Sequence, residues 1–230
     1  MIGEILPPGV SGAEAFTDPP GAVLFPAEAA IVARAVAKRR REFATGRDCA
    51  RSALGRLGVP PVPILAGERG APQWPAGIVG SITHCAGYRA AAVAWARDAV
   101  TVGLDAEPND RLPHGVLDLV CLASERARLP GLVTAAPGVC WDRLLFSAKE
   151  AVYKAWFPLT RRWLGFEEAD ITIDATGGTF GARLLVPVPV AGGGPLTGFT
   201  GRWLARDGLI VTAVTACTPG RPPDSVSSRG

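Results

Sequence analysis

Lysine is scarce in this chain: of 24 basic residues only Lys38, Lys149 and Lys154 are lysine, and the rest are arginine. Five cysteines form an odd set without a Cys-x-x-Cys pair, which argues against both a disulfide framework and a zinc site. No run approaches the roughly eighteen apolar residues of a membrane span, and the N-terminal residues lack the pattern of a signal peptide. We therefore expect a soluble cytoplasmic protein with no membrane partner.

Positive charge is in small excess. The formal net charge of +3 lies far below the strongly basic balance that indicates nucleic acid by itself. Residues 38–41 are basic and are followed by Arg47, Arg51 and Arg56, with Phe43 as the one interleaved aromatic. Such a run is typical of a solvated helix face, and its guanidinium groups also suit phosphate monoesters. We expect no nucleic-acid partner.

Apolar periodicity changes along the chain in the order helix, strands, helix, strands. This order predicts an α+β fold, with 48% hydrophobic residues to build its core. Residues 218–230 have no periodic apolar positions, and we expect a disordered tail there. Helices are predicted over 26–42, 48–57, two parts of 112–129 with Ser124 capping the second, and 139–157 ending at Pro158. Strands are predicted over 78–84, 89–96, 100–106, 170–174, 179–187, 198–205 and 209–217, the last two joined by an Asp207-Gly208 hairpin turn.

Two acids end one of the predicted strands. Asp105 and Glu107 are two residues apart, so their side chains project from the same face of a strand. Paired carboxylates suit a hard cation that takes oxygen ligands, such as Mg²⁺. An ordinary solvated strand end with two surface acids is the alternative, and for an isolated pair it is the commoner outcome.

Two of the three lysines fall in one predicted helix. Glu150 and Lys154 are i,i+4 neighbours, and Lys149 immediately precedes Glu150. The flanking residues are largely apolar, so at least one of these charges must lie near packed surface and needs a partner. Glu150 could reach a metal held by the acidic pair, with both lysines facing phosphate oxygens; an ordinary surface ion pair is the alternative.

One histidine lies at the end of a predicted strand. His84 follows Thr83 and is flanked by Gly80 and Gly87. A lone histidine is more often a packing residue than a functional one, but the loop position and nearby hydroxyls of Ser81 and Thr83 favour a phosphate contact.

Taken together, these motifs resemble the 4′-phosphopantetheinyl transferases of the larger Sfp/EntD type. The resemblance spans residues 34–217 and depends on the order and separation of short stretches, each of which is weak alone. These stretches are Arg-Arg-Arg-Glu-Phe with Gly-Arg-Asp-Cys-Ala-Arg, Trp74-Pro, Gly-Ser-Ile-Thr-His, Val-Gly-Leu-Asp-Ala-Glu, and Phe-Ser-Ala-Lys-Glu-Ala-Val-Tyr-Lys-Ala-Trp.

The resemblance implies a reaction and an architecture. The reaction is Mg²⁺-dependent transfer of phosphopantetheine from coenzyme A to a serine of an apo acyl or peptidyl carrier protein, releasing adenosine 3′,5′-bisphosphate. The architecture is a pseudo-dimer of two similar subdomains, expected at residues 1–103 and 104–217, with the active site between them. A pseudo-dimeric chain is expected to work as a monomer.

The resemblance also implies roles for individual residues. The metal carboxylates would be Asp105, Glu107 and Glu150. Coenzyme A would be bound by Arg39, Arg47, Arg69, Thr83, His84 and Lys154, together with Asp105 and Glu150. The loop 66–69 would lie on the adenine side, and the pantetheine channel would be lined by Phe146, Tyr153, Trp163 and Leu164.

Two departures and three candidate bases accompany the resemblance. Relatives often carry lysine at the position of Ala66, so one phosphate contact is expected to be either absent or taken over by Arg69. Many relatives also have serine at the position of Ala151, which we expect to affect helix packing more than chemistry. The catalytic residues would be Lys154 and a base, and the base could be Glu125, Glu150 or a metal-bound water.

Two other functions need the same phosphate-binding residues. A Mg²⁺-dependent hydrolase could cleave the pyrophosphate of coenzyme A with water. A non-catalytic module could bind coenzyme A alone, although it has no evident need for three carboxylates and Lys154.

Overall fold

The computed structural model describes residues 1–189 and 195–217, so the tail predicted at 218–230 lies outside the described residues. The helices are α1 (Ile2–Ile5), α2 (Pro26–Ile31), α3 (Ala37–Arg56), α4 (Val116–Val120), α5 (Ala123–Ala135) and α6 (Trp141–Thr160). The strands are β1 (Val10–Ala15), β2 (Ile78–Cys85), β3 (Tyr88–Trp95), β4 (Ala99–Pro108), β5 (Ala169–Asp174), β6 (Thr179–Pro189), β7 (Pro195–Arg206) and β8 (Leu209–Cys217).

The strands form two antiparallel sheets, and the predicted α+β fold is confirmed. The first sheet has the order β1-β3-β2 and the second has the order β4-β8-β7-β6-β5. Helix α3 packs on the first sheet and α6 on the second. A further apolar cluster lies where β3 meets β4 and β8, and it joins the two halves. Strand β4 crosses the boundary expected between residues 103 and 104, and that division stays a prediction.

The joint between α6 and β4 positions the site. Gly103 faces the backbone of α6 so closely that an added Cβ would overlap the carbonyl oxygen of Ala151. On the same strand the buried Thr101 hydroxyl donates to the Ala155 carbonyl at 2.8 Å, and on β8 Thr212 donates to the Ser147 carbonyl at 3.0 Å. These contacts fix the height and rotation of α6 over the sheet.

Predicted helices differ from the observed ones at their ends. The stretch 26–42 is broken, because the backbone of Val36 is extended (φ −63°, ψ 155°) where α3 begins. The helix predicted at 48–57 is the second half of α3, with no break before it. Pro158 does not stop α6, which ends with Arg161 in the left-handed conformation (φ 55°). Proline at this position removes one backbone donor and crowds the carbonyl of Lys154 four residues earlier, yet the helix continues through Thr160.

Two turn predictions had opposite outcomes. The Asp207-Gly208 hairpin is confirmed, since both residues have positive φ (53° and 75°) between the paired Arg206 and Leu209. Ser124 does not cap α5; its hydroxyl donates to Asp170 at 3.4 Å, and Leu122 is the capping residue. The predictions also omitted α1 and β1.

Within residues 1–189 and 195–217, no helix combines the length and the apolar character that crossing a membrane requires.

Candidate active site

Asp105 and Lys154 meet where β4 passes under α6. Lys154 Nζ donates to Asp105 Oδ1 at 2.7 Å and to the Leu104 carbonyl at 3.1 Å. The Asp105 carboxylate is almost fully buried, with 5% of the residue exposed. Its second oxygen, Oδ2, is buried and has no hydrogen-bond partner in the described part of the chain. Buried carboxylate oxygens are normally satisfied, so this one points to a missing cation or donor.

Glu107 and Glu150 lie close enough to Asp105 to feel its charge. Burial raises the pKa of both carboxyl groups, and repulsion by Asp105 is the second cause in each case. Like charges brought together in this way disfavour ionisation unless a cation is bound between them. Glu150 makes no ion pair or hydrogen bond with the side chains that the structure describes.

Glu107 is held by a residue that the sequence-based prediction missed. Arg143 on α6 donates to Glu107 Oε2 at 3.0 Å and to the carbonyls of Asp110 and Arg111. Arg143 precedes Glu150 by seven residues, or two helical turns, so both lie on one face of α6. This spacing could have identified Arg143 as a site residue from the sequence. Over the described ranges no group of three His, Cys, Asp or Glu side chains is already arranged as a metal cage.

A basic cavity of about 450 Å³ lies between the two halves of the chain. His84 on β2 contacts the exposed Arg39 on α3, and burial together with the Arg39 charge lowers the pKa of His84. Arg47 is buried against the Phe43 ring, and its Nε donates to the Ile64 carbonyl at 2.9 Å. Burial lowers the pKa of Arg47 to about 10, still a cation at neutral pH. The cavity is lined by Arg39, Arg47, Thr83, His84, Asp105 and Lys154.

A second, larger cavity of about 650 Å³ continues from the first. Ile82 and Lys154 are among the residues that line both, so the two cavities adjoin beside Lys154, whose ion-pair partner Asp105 lines the basic cavity only. The wall of the larger cavity includes Glu150, Tyr153 and Phe157 from α6 and Trp74 from the opposite half. A long ligand with an anionic end fits this shape.

The residues expected around a pantetheine channel are divided. Tyr153 lines the larger cavity, and its ring lies 5.0 Å from that of Trp163, which is 60% exposed. Leu164 is buried in the core of the second half, and it joins Trp163 in lining a small cavity next to the large one. Phe146 packs against Phe166 instead, with ring centroids 5.8 Å apart.

The loop that carries Arg69 approaches α6 from the first half. Ala66 forms an isolated antiparallel bridge with Pro72, closing a tight turn in which Arg69 has positive φ (53°). The Arg69 guanidinium lies 5.4 Å from the centre of the Trp163 ring, and Arg69 lines the larger cavity rather than the basic one.

Glu125 is set apart from the other predicted site residues, and its partner Lys149 joins them only at the small cavity that it lines with Glu150, Tyr153, Trp163 and Leu164. Lys149 Nζ pairs with Glu125 Oε2 at 2.9 Å and donates to the carbonyls of Phe166 and Ala169. Glu125 is 2% exposed, and its oxygens also accept from the backbone N–H groups of Leu122 and Ile171, each at 2.7 Å. The roles of Glu125 as base and of Lys149 as a phosphate contact stay predictions, and in this structure the two charged groups are engaged with each other and with backbone groups.

Sequence models of known families match both halves of the chain. The model of the 4′-phosphopantetheinyl transferase N-terminal domain matches residues 27–94, and the model of the 4′-phosphopantetheinyl transferase superfamily matches residues 101–187.

Characterised relatives extend over nearly the whole chain. It is similar to the 4′-phosphopantetheinyl transferase Svp of Streptomyces mobaraensis, with 58% identity over 100% of this chain and 95% of the relative. It is also similar to the 4′-phosphopantetheinyl transferase PptT of Mycobacterium tuberculosis, with 55% identity over 93% of this chain and 97% of the relative. Enterobactin synthase component D of Salmonella typhimurium is 33% identical over 79% of this chain and 74% of the relative. The chain belongs to the 4′-phosphopantetheinyl transferase family and is an enzyme of that type.

Proposed function

We propose that this protein transfers the 4′-phosphopantetheine group of coenzyme A to a serine of an apo carrier protein, in a Mg²⁺-dependent reaction centred on Asp105, Glu150 and Lys154. The observation that carries this proposal is that two unlike cavities adjoin at Lys154, the ion-pair partner of Asp105. Coenzyme A has the matching form: a phosphorylated nucleotide, a pyrophosphate, and a long arm. Its pyrophosphate would then lie at the junction, where the reaction takes place.

The basic cavity suits the nucleotide phosphates. Arg39 and His84 contact one another on one wall, and Arg47 is held in place by the Ile64 carbonyl. Guanidinium groups bind phosphate oxygens with two parallel hydrogen bonds, and the backbone contact of Arg47 reduces the entropy lost when it does so. The pantetheine arm would extend through the larger cavity along Tyr153 and Phe157.

Three carboxylates suit Mg²⁺ at the junction. The unpartnered Asp105 Oδ2 is an acceptor that a hard cation would satisfy, and Glu150 has no competing partner among the described side chains. Glu107 would join them if Arg143 released it. When bound, Mg²⁺ would neutralise charge on the pyrophosphate.

The protein's own groups divide the remaining work. The serine oxygen bonds to the β-phosphorus while the bond from that phosphorus to the leaving 5′-phosphate oxygen breaks. Glu150 takes the serine proton, since it lines the larger cavity beside Lys154 and has no hydrogen bond or ion pair with the described side chains. Lys154 stabilises the negative charge that develops on the transferred group.

Intact-mass measurement of several apo carrier proteins tests the proposal. After incubation with this protein, coenzyme A and Mg²⁺, an accepting carrier should gain one phosphopantetheine and release one adenosine 3′,5′-bisphosphate. A carrier with its acceptor serine changed to alanine should gain nothing. Bisphosphate release at the same rate without any carrier would identify a hydrolase, and coenzyme A binding without turnover of any carrier would identify a binding module.

A further inference from the structure

The edges of the two sheets meet beside the site without a shared backbone ladder. β2 is an edge strand of the first sheet and β4 of the second. Within the described ranges no backbone hydrogen bond joins these two strands. N–H groups of an edge strand that pair with no neighbouring strand need other acceptors when that edge is buried.

Two hydroxyl groups on β2 supply those acceptors. Ser81 Oγ accepts from the Leu104 N–H, and Thr83 Oγ1 accepts from the Ala106 N–H, both at 3.1 Å. Residues two apart on a strand face the same side, so Ser81 and Thr83 meet two successive outward N–H groups of β4. Both hydroxyls are buried, and together they join the two halves of the protein.

Thr83 makes one further contact that Ser81 does not. Its oxygen already accepts from the Ala106 N–H, so its own proton is directed to Asp105 Oδ1, at 3.3 Å. Lys154 donates to that same Oδ1 at 2.7 Å. Two donors therefore hold one oxygen of the carboxylate, while Oδ2 is left without a partner.

We infer that Thr83 is a positioning residue for Asp105, while Ser81 only joins the sheets. By holding Oδ1, the Thr83 hydroxyl fixes the carboxylate rotation that leaves Oδ2 free for a divalent cation. Groups behind a ligand commonly tune its affinity in this way. The inference rests on the proposed function, because it takes Asp105 as a metal ligand.

Metal affinity tests the inference without reference to turnover. Free Mn²⁺ is followed by electron paramagnetic resonance during titration of the protein with saturating coenzyme A and no carrier. Thr83→Val keeps the shape and removes both hydrogen bonds, and it should weaken Mn²⁺ binding about tenfold, the effect of losing a hydrogen bond to a charged group. Thr83→Ser keeps the hydroxyl and should bind within about threefold of the wild type.

Two control variants separate positioning from general loosening. Ser81→Ala removes the neighbouring join, and Thr212→Val removes another buried hydroxyl, on the residue that pairs with Asp105 across the sheet. Both should lower the urea midpoint while keeping Mn²⁺ affinity within about threefold of the wild type, because neither touches the carboxylate. If Thr83→Val does not fold, the smaller Thr83→Ala takes its place with the same expectation.

Failure of the inference differs from failure of the proposed function. Wild-type protein that labels carriers and binds Mn²⁺, beside a folded Thr83→Val that binds equally well, overturns the inference alone. Equal weakening in Thr83→Val and Ser81→Ala also overturns it, since Ser81 does not contact Asp105. Wild-type protein that neither binds Mn²⁺ nor labels any carrier overturns both.

Discussion

Helix α6 carries two lysines five residues apart, Lys149 and Lys154, and each forms an ion pair with a carboxylate from another element. The two pairs differ in whether all of their polar atoms have partners. Lys149 and Glu125 form a closed pair, because the Lys149 ammonium group and both carboxylate oxygens of Glu125 have hydrogen-bond partners. Lys154 and Asp105 form an open pair: both line the basic cavity, Lys154 also lines the larger one, and Asp105 Oδ2 has no partner among the described residues.

The difference teaches how to separate structure from function in a motif that contains both. A fully satisfied buried ion pair has no capacity left for a ligand and serves the fold. An incompletely satisfied one beside a cavity keeps an acceptor available, and such groups are where perturbed carboxylates and ligands are found. Replacement of lysine by methionine should therefore mainly reduce stability in the closed pair and mainly reduce turnover in the open pair.

The largest expected effect is loss of stability from the closed pair. Lys149→Met leaves the Glu125 carboxylate buried without its cation, which should reduce the free energy of unfolding by about 3–5 kcal/mol. Urea denaturation measures this change. Adding Glu125→Gln to the same protein removes the stranded charge and keeps an amide oxygen for the backbone N–H groups, so it should recover much of the loss; no recovery in the double variant would show that the pair is not closed.

Loss of turnover from the open pair comes next. Lys154→Met removes positive charge from the proposed pyrophosphate site and should lower the labelling rate about 10²–10³-fold. Its unfolding free energy should fall by only about 1–2 kcal/mol, because the Lys154 side chain is partly exposed and Thr83 still donates to Asp105 Oδ1. Rates are measured per folded molecule by mass spectrometry of the carrier. Labelling close to wild type would remove Lys154 from the reaction.

The open pair depends on the close approach of β4, which carries Asp105, to α6, which carries Lys154. Gly103→Ala forces α6 away from β4 and should cost about 1–3 kcal/mol of unfolding free energy, with a lowered labelling rate as Lys154 moves from Asp105. The matched control is Gly181→Ala on β6, where an added Cβ meets nothing within 4 Å. Equal effects from the two substitutions in denaturation and labelling would contradict the close packing at Gly103.

The smallest effect concerns pH. Glu150 has a folded-state pKa raised above the ordinary 4.5, chiefly by burial, so its charged form destabilises the metal-free fold. This penalty is absent below pH 4.5 and is fully present above the raised pKa. Metal-free Glu150→Gln should therefore be more stable than the wild type at neutral pH, by a margin that shrinks as pH falls. Denaturation across that range measures it, and a constant margin would contradict the raised pKa.

The main elements were predictable because their patterns are local. Alternating apolar residues identified seven of the strands, and Asp207-Gly208 identified a hairpin from two residues. The helix ends were less predictable, since Pro158 is tolerated in the last turn of α6 and an extended Val36 breaks the helix expected over 26–42.

The site was predictable as a set of residues but not as a set of partners. Spacing placed Asp105 with Glu107 and Glu150 with Lys154, and the structure brings these elements together. Spacing could not distinguish Lys149 from Lys154, and only the family resemblance selected Lys154, because the surroundings of the two come from distant segments: Glu125 and Ala169 around the first, Leu104 and Asp105 around the second.

The most direct test of the central claim compares one isosteric change in each carboxylate. Carrier labelling per folded molecule is measured for Asp105→Asn and Glu125→Gln beside the wild type. If the open pair is the reaction site and the closed pair only structural, Asp105→Asn should lose at least about a hundredfold in rate, and Glu125→Gln should stay within about threefold. A folded Glu125→Gln that loses as much as Asp105→Asn, or an Asp105→Asn that labels like the wild type, would contradict the claim.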